Sequence, residues 1–325
     1  MTVLISGGTG FVGLNLAEAL LTRGDEVVLF ALDAPPEPAL RRFRSLPGTL
    51  RLEAGDVRDA AAITACLRRH RVSRLFPFAA VTSGPDRESQ VPEQVLEVNL
   101  LGFIAQLRAA RDAGVRRVIA PSSSGIYGES FYGPGPLTED ATPPMPVSLY
   151  GISKYAVERT ALRLGALWGL DVIAARIGAL FGPWERDTGL RDSLSPFWQI
   201  EQAARAGQAA VLPAAFPPYA WIYSREAAGA LLHLLDLAVP EQRVFNVCSG
   251  HSWGEALLDW CRMLQATHPG FTWTQSADPA ACTIRLNETR PRAMMTTQRL
   301  QGTGWTPRFP PQAAMDDYLA WLTAD

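Results

Sequence analysis

Tyr150 and Lys154 stand four residues apart in the segment SLYGISKY, and Lys154 is the only lysine among 30 basic residues, the rest being arginine. On a helix that spacing places both side chains on one face. A free tyrosine titrates near ~10 and is no base at neutral pH; bringing it to ~7 takes about 4 kcal/mol of preference for the phenolate. An ammonium ~4–5 Å away, at an effective dielectric of ~20, supplies roughly 3–4 kcal/mol of that. Lysine suits the role because its ammonium is compact and its donors rotate, whereas arginine brings a broad planar fork. A second run, PSSSGIYG at 121–128, closes a strand-like segment, and ligands gather at the carboxyl ends of strands in open α/β sheets. A serine hydroxyl there can bond a substrate oxygen while the tyrosine moves its proton. Serines also cap and turn chains, and two of these three read that way.

Those side chains need a scaffold, and the first half of the chain spells one. Short apolar runs at Val3–Ser6, Val27–Leu32, Leu50–Ala54, Arg74–Ala79, Arg117–Pro121 and Val172–Ile177 alternate with helical patterns near Val12–Thr22, Ala60–His70, Gln94–Ala113 and Leu149–Trp168. Such alternation predicts a parallel sheet covered by helices on both faces, a doubly wound α/β fold of Rossmann type. Residues 1–180 read as its dinucleotide-binding domain, with later segments near 220–250 returning to it. Residues 181–325, richer in Pro, Trp and polar loops, read mainly as a smaller C-terminal substrate-binding lobe. Helical patterns recur there near Pro196–Ala206, Arg225–Leu237, Trp253–Thr267 and Pro311–Leu322.

Between the first strand and the first helix lies GGTGFVG, in which Gly7, Gly10 and Gly13 form GxxGxxG. Glycines there permit a tight turn and close approach of a pyrophosphate, and the helix N-terminus offers oriented N–H groups to an anion. The second strand of such folds ends on an acid that bonds the adenosine ribose. That place falls on Ala31 or Leu32, with the acid one residue later at Asp33, which either serves the ribose or opens the turn before Pro35 and Pro36. No arginine follows Asp33 directly, although Arg41 and Arg42 are near, so NAD is favoured, with NADP left open. Asp56 and Val57, in GDV after the third strand, are placed to bracket the adenine. A neighbouring oxidised nicotinamide, itself cationic, would supply the remaining stabilisation of a Tyr150 phenolate.

The formal charge of −2 gives no electrostatic reason to expect nucleic acid or an anionic membrane as partner. The start, TVLIS, is strand-like and shows no basic segment followed by an apolar run, and no apolar stretch approaches the ~20 residues of a membrane span. Cys66, Cys248, Cys261 and Cys282 are scattered and read as reduced thiols of a cytoplasmic protein. The four histidines, His70, His233, His251 and His268, lie far apart, no HExxH appears, and no metal site is expected.

With GGTGFVG, GDV, FAA (Phe78–Ala80), NLLG (Asn99–Gly102), SSSGIYG, LTED, SLYGISK, RIGALFGP, FNVCSG and GWTP in order, the chain resembles, nearly end to end, the extended short-chain dehydrogenase/reductase family, its NAD-dependent epimerase/dehydratase group. The resemblance implies a catalytic set of Ser123, Tyr150 as base and Lys154 as the ribose-holding cation. It also implies cofactor contacts from Phe11, Val12, Ala79, Ala80, Asn99 and Ile177, besides Tyr150 and Lys154. It implies a homodimer built on the helices near Gln94–Ala113 and Leu149–Trp168, whose apolar residues Leu96, Leu100, Phe103, Leu107, Ala156, Leu164 and Leu167 suffice for two faces. Sugar-nucleotide 4,6-dehydratases of the family carry Asp-Glu where this chain has Ser124 and Gly125, which argues against water elimination. The sugar-nucleotide members also carry an asparagine at the position of Ala179 and an arginine at that of Tyr219, both serving the substrate diphosphate. Losing both would cost roughly 3–6 kcal/mol, or two to four decades of affinity. Arg290, Arg186 and Arg191, with Ser124, remain as substrate-binding candidates, and they would suit a lone carboxylate. The expectation is therefore hydride exchange between NAD(P) and a carbinol of a small sugar, polyol or sugar acid, with a sugar-nucleotide epimerase as the alternative. A non-catalytic sensor would need a broken Ser-Tyr-Lys set, and this one is intact.

Overall fold

Ladders of buried β-branched and aliphatic residues build the centre of the molecule, shown by a computed structural model that describes residues 1–216, 220–238, 240–286 and 290–324. The strands are β1 (Thr2–Ser6), β2 (Glu26–Ala31), β3 (Thr49–Ala54), β4 (Arg74–Pro77), β5 (Arg117–Ser123), β6 (Asp171–Ile177), β7 (Ala179–Phe181), β8 (Ala210–Pro213), β9 (Trp221–Tyr223), β10 (Val244–Val247) and β11 (Trp273–Ser276). Seven of them form one parallel sheet in the order β10-β6-β5-β4-β1-β2-β3. The central strands are apolar on both faces, as a parallel sheet covered by helices demands. Leu14, Leu20, Ala228 and Leu231 pack on one face; Leu67, Leu107, Val157 and Ala161 pack on the other.

The order reverses between β1 and β4, which opens a crevice at their carboxyl ends. Strand β10 joins from residue 244, pairing Val247 with Ile177, and helix Ser224–Asp236 packs on helix Phe11–Thr22. The remaining strands pair as β7–β9 and β8–β11. They frame a largely aromatic core of Phe181, Phe197, Trp221, Tyr223, Trp253, Trp260 and Tyr318.

Several expectations needed adjusting. The run Arg74–Ala79 stops as a strand at Pro77, after which the chain bends under the first glycine loop: a Cβ on Gly7 (φ +63°) would meet Ala79 Cα at 2.7 Å. The helix near Gln94–Ala113 is interrupted by one wide π turn, Glu97–Leu101, before it resumes at Gly102–Asp112. The extra residue in that turn swings Asn99 inward. Pro36 stands at the N-cap of a helix, Glu37–Arg44, whose first turn holds Pro38, where the missing N–H would have no partner anyway. The pattern near Trp253–Thr267 becomes helical only at Ala256. Strand β10, four residues long, is one of the segments near 220–250 expected to return to the sheet, though no period marked its limits.

Candidate active site

Helix Leu149–Trp168 begins where Ser148 Oγ accepts the Gly151 N–H at 3.0 Å and ends at Gly169, left-handed at φ +64°. Its first turn lies against the bend after β5. A Cβ at Gly151 would come within 2.7 Å of the Gly125 carbonyl oxygen, so only glycine lets helix and bend approach this closely. That approach brings Tyr150 to Ser123. The hydroxyls of Ser123 and Thr82 lie near the Tyr150 hydroxyl and favour its ionised form. Lys154, one turn on and 3% exposed, holds its Nζ 5.6 Å from the centre of the Tyr150 ring.

The three serines divide as their environments dictate. Ser122 is buried and donates to Glu158 at 2.7 Å, a carboxylate also held by Arg176 at 2.8 and 2.9 Å. Ser123 faces the tyrosine, its Oγ also accepting the Gly125 N–H at 3.1 Å. Ser124 opens a short 3-10 turn, its carbonyl bonded by the Tyr127 N–H. Arg176 donates onward to Tyr127, which donates to Asn246. This buried polar network fixes the bend from behind.

The electrostatics depart from the simple lysine argument. Among the protein's own groups, burial is the largest influence on Tyr150 and pushes its phenol up, while the Ser123 and Thr82 hydroxyls and the Arg191 guanidinium pull it down. Burial also pulls Lys154 down, to about 8. Tyrosine and lysine are thus both biased toward neutrality by the same apolar surroundings, and the lysine alone does not make the phenolate.

Around the glycine loop, Gly10 precedes the first helix without a side-chain cap, and the first intrahelical bond runs from Leu14 N–H to the Gly10 carbonyl. The N–H groups of Phe11, Val12 and Gly13 therefore point off the helix end, as anion binding requires. A Cβ on Gly13 would lie 2.6 Å from the Gly7 carbonyl oxygen. These features fit a dinucleotide diphosphate. Asp33 lies exposed two residues beyond β2. Asp56 has both carboxylate oxygens occupied by Arg58, which holds it below the usual range. Val57 is buried against the helix carrying Gly102. Ala79 and Ala80 are half-buried beside the loop, and Ile177 ends β6 paired with Ser123.

Asn99, expected as a cofactor contact, has its side chain fully engaged within the protein. It is 2% exposed, and its amide donates to the Val81 carbonyl (3.0 Å) and Ser153 Oγ (3.1 Å) while its oxygen accepts the Val81 N–H (2.8 Å). It braces the chain after β4 against the helix of Tyr150.

Of the substrate candidates, Arg191 lies by the tyrosine, stacked 5.2 Å over Phe11 and paired with buried Glu185 at 3.0 Å. Arg186 instead reaches the glycine loop, donating to the Thr9 carbonyl at 2.6 Å. Ala179 is half-buried in β7 opposite Trp221. Arg290 stacks on Tyr132, 3.7 Å from its centre. Tyr219 lies outside the described residues.

Two neighbours of the tyrosine went unread. Thr82 stands two residues past FAA, and Glu88 accepts the Tyr150 N–H at 3.1 Å. The signal for Thr82 was its place just beyond β4, at the same end of the sheet as Ser123. Glu53, Cys66 and His70 form the one metal-capable group among the described residues. They satisfy one another there: Glu53 is bonded by Arg69 at 2.9 Å and His70 at 2.6 Å, and burial pushes the Cys66 thiol to about 12. No helix among the described residues is long and apolar enough to cross a membrane.

Comparison with known proteins supports this architecture. Residues 3–248 match the profile of the NAD dependent epimerase/dehydratase family. The chain is 25% identical to a UDP-glucose 4-epimerase of Neisseria gonorrhoeae, over 99% of this chain and 98% of that one. It is 31% identical to sterol demethylase protein B of Methylococcus capsulatus, over 83% of this chain and 76% of that one. The crystal structure of the Thermus thermophilus UDP-glucose 4-epimerase in complex with NAD superposes with a TM-score of 0.77 at 25% identity, covering all of both chains.

Proposed function

The chain belongs to the NAD-dependent epimerase/dehydratase family of enzymes, and on that premise we propose that it is a UDP-sugar epimerase that retains NAD through its cycle. The observation that carries the chemistry is Tyr150 close to the Ser123 and Thr82 hydroxyls and to buried Lys154. The full-length likeness to UDP-glucose 4-epimerases supports the substrate class and outweighs the expectation of a small free sugar. That expectation rested on single missing side chains, and a diphosphate can be met by other donors.

Gly7, Gly10, Gly13 and the first-turn N–H groups would hold the dinucleotide diphosphate, Asp33 the adenosine ribose, and Lys154 the nicotinamide ribose. When bound, NAD supplies reversible two-electron transfer at the sugar carbinol and, oxidised, a positive ring beside Tyr150. Tyr150 takes the carbinol proton as the carbonyl forms and returns it as the carbinol is restored. Ser123 and Thr82 hold the sugar oxygen and the phenol in register. Lys154 keeps a positive charge beneath the phenol, and Gly125, in place of a carboxylate, leaves no acid to expel water. Arg191, close to the tyrosine, favours an anionic or strongly hydroxylated sugar.

Incubation with NAD and UDP-glucose, UDP-galactose or UDP-glucuronate, followed by proton NMR, should show interconversion of epimers with no net NADH. A second reading, a dehydrogenase of a non-nucleotide carbinol, is favoured by Ala179 in the place of the diphosphate-binding asparagine. It predicts stoichiometric NADH from a free sugar or sugar acid and no micromolar binding of UDP by titration calorimetry, and that result would displace the epimerase.

The assembly we propose is a homodimer. Phe103, Leu107, Val157 and Ala161 face the sheet, whereas Leu101 (58%), Ile152 (46%) and Leu167 (58%) are exposed on the same pair of helical segments. An apolar outer face of that kind calls for a partner. Light scattering at micromolar concentration should give twice the 35.3 kDa chain mass; a monomer there would refute the dimer.

A further inference from the structure

The segment following β7, from Trp184 to Ser195, is fastened along its length. Trp184 has a left-handed backbone (φ +68°), donates its indole N–H to Glu18 at 2.7 Å and packs edge-on to Phe43 and Trp321. Glu185 is buried and accepts both the Ser195 N–H (2.7 Å) and its hydroxyl (2.5 Å) besides pairing with Arg191. Farther on, the Thr82 N–H donates to the Leu190 carbonyl at 2.9 Å, and Asp192 N–H donates to the Thr82 carbonyl at 3.1 Å. The strap thus runs from the first helix to the chain beside Tyr150.

Arg186 is the member of this strap whose chemistry is incomplete. Its Nη2 donates to the carbonyl of Thr9, inside GGTGFVG, while its Nη1 is buried without a hydrogen-bond partner. No carboxylate among the described residues pairs with it. Other buried or partly buried arginines have carboxylate partners: Arg191 with Glu185, Arg176 with Glu158, Arg225 with Asp317. Burial alone pushes the Arg186 guanidinium down. A half-buried guanidinium without an acid, a buried N–H without an acceptor and an uncapped helix N-terminus meet at one loop, and all three call for an anion with several oxygens.

We propose that Arg186 binds the diphosphate of the dinucleotide from the strap side, completing a seat whose other half is the N-terminus of helix Phe11–Thr22; this rests on the reading of the glycine loop as the dinucleotide site. The consequence is a physical link between cofactor and chemistry. A diphosphate held by Arg186 also holds the strap, and the strap carries Arg191 and Thr82's backbone partners at Tyr150. Arg186 is then a cofactor-binding residue rather than a substrate one.

Titration of Arg186→Met, Arg186→Lys and unaltered protein with NAD, ADP-ribose, adenosine and UDP-glucose tests this without reference to turnover. Arg186→Met should weaken NAD and ADP-ribose about tenfold to a hundredfold, the loss of one or two charge-assisted bonds, with adenosine unchanged and Arg186→Lys recovering part of the loss. Unchanged affinity for NAD and ADP-ribose in a folded Arg186→Met protein overturns the proposal. So does a loss confined to the UDP-sugar, which would put the guanidinium on the substrate. Should Arg186→Met not fold, the ADP-ribose to adenosine ratio of Arg186→Lys decides, an unaltered ratio overturning the proposal. Failure of the unaltered protein itself to bind NAD would instead strike the dinucleotide reading.

Discussion

Tyr150→Phe is expected to lower turnover about 10²- to 10⁴-fold, the usual range for loss of a positioned acid–base group, while NAD affinity stays within a few-fold. The ring keeps its place in the first turn of the helix, whose cap and glycine contact do not involve the hydroxyl. What vanishes is the proton carrier beside Ser123 and Thr82. Ser123 remains bonded to the Gly125 N–H. Fold and cofactor seat should therefore survive. Stopped-flow measurement of the chemical step, beside a calorimetric NAD titration, separates the two. A variant that retains near-normal turnover would mean that another group moves the proton.

Lys154→Met should produce opposite changes in activity and stability. Turnover and NAD affinity should fall, since the ribose-holding cation and the charge beneath the phenol are both gone; Lys154→Arg should also fail, its planar fork not fitting a space made for an ammonium. Yet Lys154→Met, measured without dinucleotide at pH 7, should be more stable than the unaltered protein by on the order of 3 kcal/mol. The reason is burial: the native lysine titrates at about 8 against 10.5 for the ordinary side chain. Below pH 8 the folded protein carries the full cost of a buried charge. Between pH 8 and 10.5 the unfolded chain binds more protons than the folded one, so the lysine's penalty fades as pH rises. The advantage of methionine is therefore complete below pH 8 and gone by about 10.5. Urea unfolding at pH 7 and pH 10 reads this directly. Equal stability of the two proteins at pH 7 would show that the ammonium is solvated or paired.

How much of this could be read without coordinates depends on how local each cause is. Tyr150 and Lys154 share a face because a helix repeats every few residues, and Ser148 and Gly169 set its limits within the same stretch. GGTGFVG is equally self-contained, a turn and a helix start in seven residues. Thr82 and Arg191 come together only because a strand end pairs with a loop more than a hundred residues later, and no spacing records that. The inward turn of Asn99 follows from one inserted residue in the Glu97–Leu101 turn, which helical periodicity does not reveal. The bias of Tyr150 and Lys154 toward neutrality comes from burial contributed by several segments. Residue type named the chemistry, whereas burial decided its electrostatics.

Strand β10 has a consequence for the making of the protein. On a ribosome, residues 1–180 emerge as a nearly finished sheet whose outer rail, β6, has its N–H and C=O groups open on one side until Val244–Val247 arrive. Glu18, only 7% exposed, likewise waits for Trp184 and Arg225, which bond it from 166 and 207 residues downstream. An open rail of buried-type residues pairs readily with other chains. Nascent chains stalled before residue 247 are thus the sticky species, and expression of the first 180 residues alone would yield aggregate where the whole chain yields protein.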